Sequence, residues 1–153
     1  MATTMRQLAY DAFRDEAPAR GVDEYPFYPI TMMYAADLIE TAYRTYATDA
    51  ESLVRGQLAF AEQFGATHVS AISDPCVESS DLGAPVEFYE NAPPANREAD
   101  ALLSEKSVLT ELESHAPTDG PRMNNRLEAV RLLKERGGDR LVEGWVEGPC
   151  AEA

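Results

Sequence analysis

His68-Val69-Ser70-Ala71-Ile72-Ser73-Asp74-Pro75 is a short run of small, β-branched and apolar residues that ends abruptly in an acid and a proline. With Thr67 it reads as a strand over 67–73 running into a polar strand end. Just upstream, Asp49 is a candidate N-cap, and Leu53, Val54, Leu58, Ala61 and Phe64 recur at helical spacing until Gly65 supplies a stop. Helix, glycine, short strand and polar strand end form the rhythm of an α/β fold.

Working outward, the same rhythm returns downstream. Two helices are predicted at about 104–115 and 123–137. The second places Met123, Leu127, Val130 and Leu133 on one face and ends at Gly137-Gly138. Arg140 to Glu147 then reads as a third strand. Upstream, Thr4 to Ala17 reads as an amphipathic helix with Met5, Leu8, Ala12 and Phe13 on one side. Pro26 to Met33 reads as a buried strand, although Pro26 and Pro29 cannot donate to a ladder. Residues 75–103 are irregular and proline-rich, with one short strand expected at Val86–Tyr89.

These elements make three strand–helix units in one domain spanning 1–153. Parallel strands joined by helices cross over right-handedly, which gives either a doubly wound sheet or part of a barrel. The pattern does not choose between them. No G-x-G-x-x-G follows a strand and no P-loop is present, so the common nucleotide-binding versions lack support.

Composition narrows the partners. Twenty-seven acidic residues against 13 basic ones give a net charge of −14. A nucleic-acid binder needs a basic patch to neutralise phosphates, and no window supplies one. The same field disfavours anionic membranes. Lys106 and Lys134 are the only lysines, a bias that also fits a high-salt interior. No apolar run is long enough for a membrane span, and the first residues lack a hydrophobic signal core, so a cytoplasmic location is expected. Cys76 and Cys150 fit a reducing compartment and no disulfide framework.

Three segments taken together resemble the uroporphyrinogen decarboxylase superfamily. They are Tyr28 to Asp37, His68 to Pro75 with Leu82-Gly83 beyond it, and Gly144-Trp145-Val146-Glu147-Gly148-Pro149-Cys150. Tyr46-Ala47-Thr48-Asp49 and the helix after it are similar to the branch containing methylcobamide:coenzyme M methyltransferases. The resemblance implies an α/β fold of the TIM type, with the chain supplying about the first three βα units of a (β/α)₈ barrel after an N-terminal helix. It covers nearly the whole chain but only about the first half of a family member. The expected enzyme is therefore a corrinoid-dependent methyltransferase of which this chain is a part. The alternatives are uroporphyrinogen decarboxylation and a non-catalytic acidic module that binds a partner.

The resemblance singles out Asp74. At a barrel strand's C-terminal end it stands where active-site groups gather, and in the decarboxylases the matching aspartate sits under the substrate's pyrrole nitrogens. Asp-Pro after Ser is also ordinary turn chemistry, and that reading stays open. Met33, Tyr34, Ser73 and Glu147 are the substrate-contact candidates. Met33 to Leu38 contains no arginine where the decarboxylases carry arginines for substrate carboxylates. In the methyltransferases a zinc ion is held by His-x-Cys and a later Cys from the barrel's second half. This chain has no His-x-Cys, so no metal site is expected within it, and zinc and a corrinoid would belong to the complete enzyme. A tetrapyrrole or corrinoid-linked small molecule is the expected ligand. His68 and His115 read as structural, and Cys76 and Cys150 as small buried thiols. Three parallel strands without closure leave an open edge, so self-association or a second polypeptide completing the barrel is expected.

Overall fold

Asp49 does start a helix. Its Oδ2 accepts the Ser52 N–H at 2.7 Å, and the helix runs Ala50–Phe64 until Gly65, at φ 71°, ends it in a left-handed turn. The computed structural model describes residues 26–113 and 116–148, together with Thr4, Gln7 and Asp11. The helix expected over 4–17 lies outside these apart from those three residues, as do His115 and Cys150. The described elements are α1 (Met32–Leu38), α2 (Tyr43–Thr48), α3 (Ala50–Phe64), β1 (His68–Ser70), α4 (Val77–Asp81), β2 (Val86–Glu87), β3 (Ala95–Asn96), α5 (Pro121–Arg136) and β4 (Leu141–Glu143).

Replacing Asp49 with alanine removes a cap bond and is expected to cost about 1 kcal/mol in chemical denaturation, with Asp49→Ser close to neutral. Opposite the cap, α3 meets α1 closely at Gly56. A side-chain carbon there would fall 2.7 Å from the Ala35 carbonyl oxygen, so only glycine lets the two helices approach this far.

β1 and β4 pair in parallel, with His68 opposite Leu141 and Ser70 opposite Glu143. Backbone bonds continue the ladder past both ends, from Leu141 N to Thr67 O and from Ala71 N to Glu143 O. Alternation along the strands then sorts the faces. Val69, Ala71 and Val142 join the helical core with Leu53, Val54, Ala129 and Leu133. His68, Ser70, Ile72, Glu143 and Trp145 take the other face, where they line one cavity. β2 and β3 form a separate antiparallel pair inside the irregular stretch. No described helix is long and apolar enough to cross a membrane.

Three expectations are corrected. The buried strand over Pro26–Met33 is absent: 26–31 has no regular structure, Met32 already begins a helix, and Phe27 and Ile30 are 47% and 62% exposed. Pro26 and Pro29 have no N–H, and the segment's backbone meets the strand through the Phe27 carbonyl, which accepts from Thr67 N and Oγ1. The helix over 104–115 shrinks to a 3₁₀ turn at Lys106–Thr110 with none of its residues buried. Leu109 is 56% exposed and Val108 only half-buried, and a helix this short does not hold without a packed face. The third correction concerns α5, whose buried residues are Arg122, Arg126, Ala129, Leu132 and Leu133, while Leu127 is 47% exposed. The helix is turned so that two arginines enter the interior.

Candidate functional site

Those arginines meet Asp74. Beyond Ala71 the chain leaves the ladder, and residues 72–73 are pinned from the side of α2. The Tyr43 hydroxyl donates to the Ser73 carbonyl, and the Tyr46 hydroxyl to the Ile72 carbonyl at 3.4 Å. Gln57 joins this strap: its amide donates to Tyr46 Oη at 2.8 Å and to Thr31 Oγ1 at 3.0 Å, while its carbonyl takes Ser70 N. Burial pushes the Tyr46 hydroxyl up to about 12 and holds Tyr43 well above the phenol range, so both remain donors at neutral pH.

Held this way, Asp74 is only 3% exposed and both of its oxygens accept hydrogen bonds. Its Oδ1 accepts Cys76 N at 3.1 Å, closing an Asx turn. Its Oδ2 accepts Ser73 Oγ at 2.6 Å and Arg122 Nη2 at 2.5 Å. Arg122 also donates to the Ala47 carbonyl at 3.3 Å and lies over the Phe88 ring, 5.2 Å from its centre. Arg126 donates to the same Ala47 carbonyl at 3.0 Å. One carboxylate thus faces two buried guanidinium groups. Arg126 is pushed down to about 10, first by burial and then by the Arg122 charge. Asp81 fixes the entry of α5 by accepting Arg122 N at 3.1 Å and Met123 N at 2.7 Å.

Of the sequence candidates, Ser73 and Asp74 are brought together. Met33 and Tyr34 sit on α1 at 45% and 49% exposure, with the Tyr34 ring 6.0 Å from Phe60 and 5.9 Å from Phe64. Glu147 accepts Trp145 Nε1 at 3.3 Å and Gly148 N at 3.4 Å. No hydrogen bond or ion pair links those three to Asp74 among the described residues. Arg122, Arg126, Tyr43 and Tyr46 were missed from the sequence. The only signal was that 122, 126, 129 and 133 are also a helical stripe.

The residues present do not fit a zinc site: among the described residues no three His, Cys, Asp or Glu side chains converge. The Cys76 thiol is buried and donates to the Pro94 carbonyl at 3.5 Å.

On the face of the β1–β4 pair turned away from the helical core lies a cavity of about 200 Å³. His68 Nε2 is 3.8 Å from Glu143, and the Tyr28 ring centre is 3.9 Å from the imidazole centre. Burial pushes His68 down to about 4, so the ring is neutral at pH 7. His68 Nδ1 and Ser70 Oγ are buried without partners.

A family model described as uroporphyrinogen decarboxylase (URO-D) matches residues 6–153. No curated protein matches. Among solved structures, a methyltransferase from Methanosarcina mazei shares the fold with a TM-score of 0.73 at 16% identity, over 99% of this chain. This chain spans 44% of that one.

Proposed function

This chain belongs to the uroporphyrinogen decarboxylase family, and from that premise we propose that it is the amino-terminal part of a corrinoid-linked methyltransferase-type barrel. The burial of Asp74 and its pairing with Arg122 carry this reading. A porphyrinogen decarboxylase needs this carboxylate turned to the substrate's pyrrole N–H groups, where it stabilises the positive charge of the protonated ring. Here both oxygens are committed to Cys76 N, Ser73 Oγ and Arg122. Arg122 and Arg126 reach Asp74 and Ala47 through Nη2, while each keeps Nε and Nη1 buried without a partner. Asp74 instead serves as the rigid floor of the strand end, shaping the site without entering the reaction.

Zinc does not fit the described residues, so no step of this reading runs through a metal held by them. The remaining barrel strands come from further polypeptide that pairs along the open edge of β4, either in the same gene product or in a partner.

The test is to isolate the native species from its own cells through an antibody to this chain. Its intact mass is then measured and its activity assayed on two substrates. The expected result is transfer of methyl from methylcobalamin to a thiol, with no carbon dioxide released from uroporphyrinogen. Decarboxylation without methyl transfer would reverse the assignment.

A further inference from the structure

Turning Arg122 and Arg126 inward leaves α5 with an apolar flank at the surface. At 3.6 residues per turn the helix presents four sides. Arg122, Arg126, Ala129 and Leu133 enter the interior. Asn125 and Arg136 lie toward α2 and α3, where they meet the Thr48 carbonyl at 3.1 Å and Glu51 at 2.5 Å. Glu128, Arg131 and Glu135 make a charged solvent side and pair with one another. The fourth side, away from Asn125 and Arg136, carries Met123, Leu127 and Val130 with Lys134 at its end. Leu127 is 47% exposed, Met123 and Val130 are half-buried and Lys134 is exposed. The position of this flank in the fold is fixed by its neighbours. α3 packs on β1, whereas α5 also reaches β4, and Val130 Cγ2 stands beside Gly144, just past β4. The flank therefore points away from α3, toward the open edge of β4.

We propose that Met123, Leu127 and Val130 dock the first helix of the polypeptide that completes the barrel. That helix presents apolar residues three and four apart to the flank, and an acid to Lys134. The inference rests on the barrel reading and adds a helix interface to its strand edge. β1, α5 and β4 already form one parallel crossover. A strand added beyond β4 repeats the same right-handed crossover, which sets its helix on the α5 side of the sheet, next to this flank. The chain spans 44% of the solved methyltransferase, so more than half of that fold lies in polypeptide that can supply the helix. A flank that stayed in water would be expected to resemble the neighbouring side, with its mutually paired Glu128, Arg131 and Glu135.

The test uses the native species. Benzoylphenylalanine replaces Leu127 in the native cells and, as a control on the solvent side, Glu128. After irradiation the species is isolated through an antibody to this chain, and crosslinked peptides are sequenced by mass spectrometry. The expected result is a crosslink from Leu127 to one segment outside residues 1–153, with apolar residues three and four apart. The control should not reach that segment. Leu127→Asp is the second measurement. It should lower the melting midpoint of the isolated species by several degrees, because a carboxylate then enters an apolar interface. Asn124→Asp, which adds the same charge on the solvent side, should not lower it. Crosslinking to a second copy of residues 1–153, equal crosslinking from both positions, or an unchanged midpoint for Leu127→Asp would overturn the proposal. The two failures separate. A native species containing this chain alone refutes the barrel reading as well, whereas a completing polypeptide that is present but never reached from Leu127 refutes the docking face only.

Discussion

Asp74→Asn is expected to cost about 3–5 kcal/mol of folding stability, the largest loss of any polar substitution in this chain. The reason is what it leaves behind. Asp74 is the only carboxylate that pairs with Arg122 among the described residues, and Arg126 carries a second buried charge beside it. Removing the negative charge strands two guanidinium groups in an interior where several of their N–H atoms already lack partners. Arg122→Met should cost a similar amount by stranding the carboxylate. The double variant is the informative one. With both members gone the loss should fall below the sum of the singles, because Arg126 is then the one buried charge left without a carboxylate instead of two guanidinium groups. Urea denaturation of the four proteins measures this. Additive losses would mean that Asp74 and Arg122 act separately and that the strand end is held by Tyr43 and Tyr46 alone.

The same residues show where the sequence could be read and where it could not. The helix over Ala50–Phe64 was legible because its signals are local: a capping aspartate, a helical apolar repeat and a glycine with positive φ. The two parallel strands were legible for the same reason, as short apolar runs between glycine and polar ends. The orientation of α5 was not. Its sequence carries two stripes, one apolar through Met123, Leu127, Val130 and Leu133, the other holding Arg122 and Arg126 and sharing Leu133, and periodicity favours the apolar one. What turns the helix is a carboxylate 48 residues upstream, joined at 2.5 Å, and spacing along one segment carries no trace of it. Pro26 to Met33 failed differently: its composition suits a strand, but proline removes the ladder bonds that make one. Asp74 was legible as important and ambiguous in role. The structure gives it the turn bond to Cys76 and, in addition, a buried counter-ion that no turn requires.

Between pH 6.5 and 4 the protein is expected to lose up to about 3 kcal/mol of stability through His68 alone. Burial holds the folded imidazole down to about 4, whereas in the unfolded chain it titrates near its ordinary value of about 6.5. Above both values the ring is neutral in either state and contributes nothing to the pH dependence. As pH falls below 6.5 the unfolded chain takes up a proton that the folded chain refuses, so unfolding is favoured. The loss is complete once pH passes below the folded value. With its side chain 5% exposed, His68 is not relieved by solvent, although Glu143 at 3.8 Å offsets part of the cost by facing the imidazolium once formed. His68→Gln keeps a polar side chain of similar reach and does not titrate. Urea midpoints for the two proteins should therefore diverge as pH drops from 7 to 5, with the variant flatter. His115, the other histidine, is present in both and cancels. The upper part of this window lies above the ordinary carboxylate range, which separates His68 from general acid unfolding. Parallel midpoint curves would mean that His68 is already solvated in the folded chain.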